Sequence, residues 1–147
     1  MAEAVTAAQV IETLGGSRTL RRRVKSFEGL RDEVRQGLSY AVVESVAQRF
    51  GLTAAEIAAV VAVPQRTLAR RKVEHKLKAA ESDRLLRFGR IAALAEDVLG
   101  SREKVSRWLH APNRALGNQP PLRHLDTDLG SRQVESVLLR IAHGVYS

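Results

Sequence analysis

The sequence predicts an all-α chain, and three observations carry that expectation. Of its 147 residues 44 % are apolar but only 4 % aromatic, with Ala, Leu and Val prominent, a mixture that helical cores accommodate well. Apolar residues recur at spacings of three and four, not in alternation. Gly, Pro, Ser and Thr fall where helix caps and stops are needed and cut the chain into short segments. The length is enough for a real core, and the apolar content is that of a folded chain.

Taken in order, a small helix over 6–14 stops at Gly15-Gly16. The basic stretch 17–26 shows no clear period and stays unassigned. Phe27, Leu30 and Val34 recur at helical spacing, giving a helix over 27–36 that ends at Gly37. Ser39 can cap a helix over 40–50 that turns Val42, Val43, Val46 and Ala47 inward, and Gly51 stands where a left-handed C-cap belongs. Thr53 and Glu56 have capping-box spacing, so the next helix covers 54–61. Pro64 suits the first turn of the following helix, where its missing N–H has no partner to lose, and that helix is expected to reach Leu77. The longest helix, 80–99, sets Leu85, Phe88, Leu94 and Val98 on or near one face, and Gly100 stops it. Ser101 caps 102–110, which Pro112 ends; the loop 113–126 has room for a helical turn at 121–125. Thr127 caps a last helix, 128–143, with Val134, Val137, Leu138 and Ile141 in one stripe before Gly144. The expected division is an N-terminal DNA-binding half over 1–78 and a second helical half over 79–147, with a seam around 96–101 as the other option unless the long helix joins the halves.

Composition narrows the function. The chain has no cysteine, which excludes disulfides, thiolate metal sites and cysteine catalysis. No apolar run approaches the ~20 residues of a membrane span, and the first ten residues lack the basic and apolar regions of a secretion signal; the expected location is the cytoplasm. The net charge of +8 points to a polyanionic partner. Five cations lie between Arg18 and Lys25, and six more between Arg66 and Lys78 against the single acid Glu74. The role of the first run stays open between a solvated surface and a contact.

The second run sits in a motif. Residues 53–72 resemble a helix-turn-helix, with Ala58 as the small residue where two helices cross, Ala62 at the turn and Leu68 as the anchor of the second helix. Ala62 departs from the usual Gly, because the turn often needs positive φ; Ala there implies strain or a different turn. An ordinary helical hairpin is the alternative, and the basic second helix favours DNA. The candidate DNA-binding residues are Gln65, Arg66, Thr67, Arg70, Arg71 and Lys72, near the helix end that enters the major groove. Arg66 and Arg70, one turn apart, can grip guanine edges, and Gln65 can pair with adenine. Thr67 or Lys72 can hold phosphate, and Arg71, pointing elsewhere, is expected on the DNA backbone.

From Leu85 onward an ordered series of motifs resembles the toxin-binding domain of the Xre/MbcA/ParS antitoxin family. The series is Trp108-Leu109, Pro112-Asn113, Ala115-Leu116-Gly117, Pro121-Leu122, Thr127, Gly130, Val134 and Arg140-Ile141-x-x-Gly144-Val145; Glu81-Ser82-Asp83-Arg84-Leu85 upstream also fits. With the helix-turn-helix, the resemblance covers roughly residues 27–147. Besides Ala62, the departures are Asn118, where a second Gly is common, and Lys78, where a capping Ser is common. The resemblance implies an antitoxin that pairs with a RES-domain toxin acting on NAD. It also implies homodimers that bind their own operator, and a C-terminal segment that blocks the toxin's active-site cleft. The candidate toxin-binding residues are then Arg140, His143, Gly144, Val145, Tyr146 and Ser147 with its carboxylate. Trp108, Leu109 and Leu116 read as a small core clasped by the Pro-Asn loop.

No enzyme is expected. His75, His110, His124 and His143 are scattered, and His124 near Asp126 lacks a nucleophile. Gly15-Gly16 is no phosphate loop, and no catalytic residue, metal site or cofactor is assigned. Two binding readings stand: an antitoxin that represses its own operon, or a free-standing helix-turn-helix regulator whose second half serves dimerisation. A RES-domain gene next door separates them.

Overall fold

Capping chemistry sets where the helices begin. The computed structural model describes residues 5–20 and 23–144. In α1 (Ala7–Thr13) the Thr6 hydroxyl accepts from the Gln9 amide at 3.1 Å, and the Gln9 side chain accepts from the Thr6 amide at 2.7 Å. Ser26 caps α2 (Phe27–Gln36) and Ser39 caps α3 (Tyr40–Phe50). Thr53 and Glu56 form the expected reciprocal box on α4 (Ala54–Val61). Ser101 caps α7 (Arg102–His110) and Thr127 caps α8 (Asp128–Ala142). These bonds satisfy amides that have no intrahelical acceptor. Between them lie α5 (Gln65–Glu74), α6 (Ala79–Leu99) and two 3-10 turns, Arg114–Leu116 and Pro121–His124. All helices and no strands are found among the described residues, so the chain is all-α as expected. No helix there is long and apolar enough to cross a membrane.

Two boundaries differ from expectation. Pro64 is the residue before α5, not part of its first turn. More substantially, α5 stops at Glu74, three residues before Leu77. His75 takes a left-handed conformation with φ 65°, and the chain then pairs with the segment ahead of α3. The Tyr40 amide donates to the His75 carbonyl at 3.0 Å, and the Leu77 amide to the Leu38 carbonyl at 2.9 Å. Leu77 and Leu38 are both buried. Leaving the helix therefore costs no backbone hydrogen bond at Leu77 and gains a buried leucine.

α6 is the axis of the molecule. It packs against α1, α2, α4, α7 and α8, and Leu85, Phe88, Ile91, Ala92, Ala93, Leu94 and Ala95 are all buried. A helix apolar on most sides is a central helix. Phe88 meets Phe50 of α3 edge-on, with ring centroids 5.9 Å apart. Gly89 lets α1 approach closely, since a Cβ there would lie 2.7 Å from Leu14 Cδ2. One continuous core runs from Val10 to Leu138, passing across residue 78 without a break.

Candidate functional site

The helix-turn-helix is built by α4, a three-residue turn and α5. Ala58 is buried at the crossing and Leu68 anchors α5, 3 % exposed. Ala62 adopts φ 60° and ψ 47°, so the turn keeps the left-handed geometry that Gly usually supplies and an alanine carries its strain. At the start of α5, Gln65, Arg66, Ala69 and Arg70 face solvent and Thr67 is half-buried. Arg66 and Arg70 make no ion pair or side-chain hydrogen bond with the described residues. No side chain caps α5, which leaves the positive end of the helix dipole open to an anion. Lys72 is exposed on the same helix.

Arg71 departs from expectation. It is turned inward and 8 % exposed. Its Nε and Nη2 donate to the two carboxylate oxygens of Glu81 at 2.8 and 2.9 Å, and Nη1 donates to Glu74 at 3.0 Å. A guanidinium spent on two carboxylates has no fork left for a phosphate, so the expected DNA backbone contact gives way to an internal latch between α5 and α6.

The run from Glu81 to Leu85 acquires a physical meaning here. Glu81 holds Arg71 and also accepts from the Lys78 amide at 2.9 Å, the carboxylate half of a capping box. Ser82 accepts from the Leu38 amide and donates to the Lys78 carbonyl, both at 2.8 Å. Arg84 Nη1 donates to the Val61 carbonyl at the end of α4, 3.1 Å away. Leu85 is fully buried. The link ahead of α3, the end of α4 and α5 are thus fastened to α6 by one turn of side chains. Sequence reasoning noticed the run but not its distant partners Arg71, Val61 and Leu38, which lie 10, 23 and 44 residues away.

Further contacts tie the second half to the first. Arg49 grips Glu96 with two bonds of 3.2 and 3.1 Å. The Ser106 hydroxyl donates to the Phe50 carbonyl at 2.7 Å. His110 places Nδ1 2.7 Å from the Ser106 carbonyl and Nε2 3.0 Å from the Glu56 carboxylate.

In the C-terminal half, Leu109 and Leu116 are buried while Trp108 is only half-buried against the same core. The Pro-Asn loop closes on Asn113, whose carbonyl accepts from Leu116 and Asn118 and whose amide donates to Gln119. Gly117 and Asn118 are both left-handed, at φ 66° and 64°. Asn is the residue besides Gly that tolerates this conformation best, which explains why it can stand there. Gly130 permits contact between α8 and the His124 carbonyl, which a Cβ would strike.

Along α8, Val134, Val137 and Leu138 are buried and Ile141 partly so. Arg140 is exposed on the rim of a cleft of about 450 Å³ formed with Leu116, Gly117, His124 and Val137. His143 and Gly144 are exposed just beyond; Val145, Tyr146 and Ser147 lie outside the described residues. Leu129 and Leu139 on α8 are exposed, Leu129 by 70 %. Sequence reasoning had not singled out the cleft, because it is formed by the loop's return against α8. No group of His, Asp and Glu among the described residues could hold a metal ion; His124 is occupied with Gln133 at 3.1 Å.

Comparison with known proteins matches both halves. The family model for the antitoxin Xre-like helix-turn-helix domain matches residues 29–90, and that for the antitoxin Xre/MbcA/ParS C-terminal toxin-binding domain matches residues 94–144. A protein of Yersinia enterocolitica named antitoxin Xre is 32 % identical over 118 residues, 79 % of this chain and 80 % of that one. One of the same name from Photorhabdus laumondii is 31 % identical over 114 residues, covering 76 % and 77 %. Another from Pseudomonas putida is 42 % identical over 83 residues, 56 % of this chain and 52 % of the relative.

Proposed function

Since the chain belongs to the Xre antitoxin family, with its helix-turn-helix and toxin-binding domains, we propose that it neutralises a RES-domain, NAD-consuming toxin and represses its own operon. It does so in the cytoplasm by binding, with no chemistry or cofactor of its own. The observation that carries this reading is that two sets of exposed cationic residues stand on different helices of one continuous core. Arg66 and Arg70 stand exposed at the start of α5, and Arg140 and His143 at the end of α8.

The α5 end reads operator bases, with Gln65, Arg66 and Arg70 on base edges and Thr67 and Lys72 on the backbone. One such helix covers few base pairs, so a homodimer meets a two-fold operator with half-sites about 34–36 Å apart or a multiple of it. The α8 end, with residues 144–147 beyond Arg140 and His143, covers the toxin's active-site cleft. An NAD site must accept a pyrophosphate and two ring systems, which leaves room for a polar, aromatic segment such as Gly144-Val145-Tyr146-Ser147.

The test is a pair of assays on the purified full chain. NAD consumption by the RES-domain toxin encoded beside it should be abolished at equimolar antitoxin. The DNA upstream of its own gene should be bound in preference to a scrambled duplex. A toxin that keeps consuming NAD in the presence of excess antitoxin overturns the reading.

A further inference from the structure

α7 belongs to the toxin-binding half by sequence, yet it packs on α3 of the first half and on α6, and touches the start of the helix-turn-helix. Its residue Ser106 bonds the carbonyl at the end of α3, and His110 reaches Glu56 in the first turn of α4. Between α3 and α7 runs an open cleft of about 650 Å³, lined by Arg49, Arg102 and Arg107, with Ser45 and Gln48 as neutral partners. Its one carboxylate, Glu103, lies 3.5 Å from Arg102 at the surface. Arg49 is neutralised by Glu96, so the exposed Arg102 and Arg107 give the cleft its positive character, and the planar forks of their guanidiniums match phosphate oxygens.

We propose that this α3–α7 cleft grips DNA phosphates flanking the bases that α5 reads, so that the toxin-binding half is itself part of the DNA-binding surface. The inference rests on the operator-binding reading above. In a helix-turn-helix the first helix crosses the DNA backbone while the second enters the groove. Here α4 is the first helix, and the His110–Glu56 contact places the end of α7 beside its start. A backbone that passes the start of α4 continues along α7. From Arg107 back to Arg102 is about 7.5 Å at a rise of about 1.5 Å per residue. Phosphates of one strand recur about every 3.4 Å of duplex axis, so the row can follow two or three of them. Arg49 is spent on its two bonds to Glu96, so the phosphate contacts fall to the exposed Arg102 and Arg107. The toxin is the other occupant to weigh, but the proposed toxin-facing residues Arg140 and His143 stand at the end of α8, while this cleft lies between α3 and α7.

The experiment measures the affinity of the full chain for the duplex upstream of its own gene, and for a scrambled duplex, across salt concentrations. Each phosphate contact removed should lower the slope of log affinity against log salt by about 0.9. That corresponds to a salt penalty about 3- to 4-fold smaller between about 50 and 200 mM. Arg102→Ala and Arg107→Ala should each do this on both duplexes while leaving the preference between them unchanged. Arg132→Ala, which removes the same charge from α8, should leave the slope as it is. Arg66→Ala should reduce the preference.

If neither α7 variant changes the slope while Arg66→Ala still reduces the preference, the operator reading stands and the cleft proposal falls. An equal change in Arg132→Ala also overturns it, because the effect is then one of total charge. So does loss of toxin neutralisation in the α7 variants with an unchanged slope. If the unaltered chain prefers neither duplex, the operator reading fails first and takes the cleft with it.

Discussion

Arg71 of α5 and Glu81 of α6 form a buried two-bond ion pair, at 2.8 and 2.9 Å, that fixes the reading helix to the central helix. Both residues are almost fully shielded from water. Removing one member leaves the other as an uncompensated buried charge, which costs about 3–5 kcal/mol. Arg71→Ala should therefore lower the unfolding free energy by about that amount, read as a shift of the urea midpoint at constant slope. A shift equivalent to under about 1 kcal/mol would show that Glu81 finds another partner or reaches water.

The same pair sets a pH dependence. Burial alone would push the Glu81 carboxyl up; hydrogen bonds from Arg71 and the Lys78 amide, with the charges of Arg71 and Lys78, outweigh it and hold the carboxyl below its ordinary range. The bond to Glu81 in turn raises the Arg71 guanidinium, so it stays charged throughout. A carboxyl depressed in the folded state adds stability that is full above its unfolded value of about 4.3 and is lost as pH falls through the folded value. Stability of the unaltered chain should fall more steeply below about pH 5 than that of Glu81→Gln. Parallel curves of urea midpoint against pH would assign the acid sensitivity to other carboxylates.

Ala62 offers a gain instead of a loss. Its side chain is exposed and its φ is 60°, so Ala62→Gly removes no packing. Relief of the left-handed backbone is worth about 1–2 kcal/mol, set against about 0.4–1 kcal/mol for the extra freedom of Gly in the unfolded chain. The balance predicts a stabilisation of roughly 0.5–1 kcal/mol. That is a rise of a few degrees in melting temperature, which calorimetry can read. A destabilised Ala62→Gly protein would mean that the alanine methyl makes a contact in solution that its exposure conceals.

The Ala62 turn and the Arg71 pair mark the two ends of what the sequence could convey. Thr53 with Glu56, Ser101 and Thr127 act on amides within three residues, so their hydroxyls announce the helix starts at Ala54, Arg102 and Asp128. Gly51 and Gly100 announce stops for the same local reason. The end of α5 was not legible, because Leu77 leaves the helix to bond Leu38, a partner in another part of the chain. The inward turn of Arg71 was not legible either: its direction is decided by Glu81 on a different helix, and a basic run on a helix does not tell which member faces inward. The cationic cleft of α7 needed the three-dimensional meeting of Arg49 with Arg102 and Arg107, which are about fifty residues apart.

On the reading helix the exposed pair carries the next prediction. Arg66 and Arg70 are one turn apart, exposed and free of internal partners among the described residues. Arg66→Ala and Arg70→Ala should each reduce discrimination between the upstream duplex and a scrambled one by about 1–3 kcal/mol, measured as a ratio of dissociation constants at fixed salt. Neither should shift the urea midpoint by more than about 0.5 kcal/mol, since both are surface residues. If discrimination survives in both variants, α5 does not present this face to the bases.

The final prediction concerns neutralisation. Val134 and Leu138 hold α8 to its own domain and Ile141 packs partly on the same core, so they are structural, while Arg140 and His143 are exposed at the far end. Arg140 sits on a cleft rim, where a charge adds orientation and on-rate more than affinity. Arg140→Ala should weaken inhibition of the cognate toxin by about 0.2–1 kcal/mol, up to roughly fivefold. It should also make inhibition less sensitive to salt. Removing residues 145–147 should weaken inhibition more, by at least about tenfold, or ~1.4 kcal/mol, if that segment occupies the NAD cleft. The DNA-reading residues on α5 are untouched by either change, so preference for the upstream duplex should persist and circular dichroism should show the same helix content. The assay is NAD consumption by the toxin titrated with each form of the antitoxin. If the well-folded truncated form inhibits as strongly as the full chain while Arg140→Ala does not, the contact is the rim formed by Leu116, Gly117 and Arg140, and the last residues lie outside the interface.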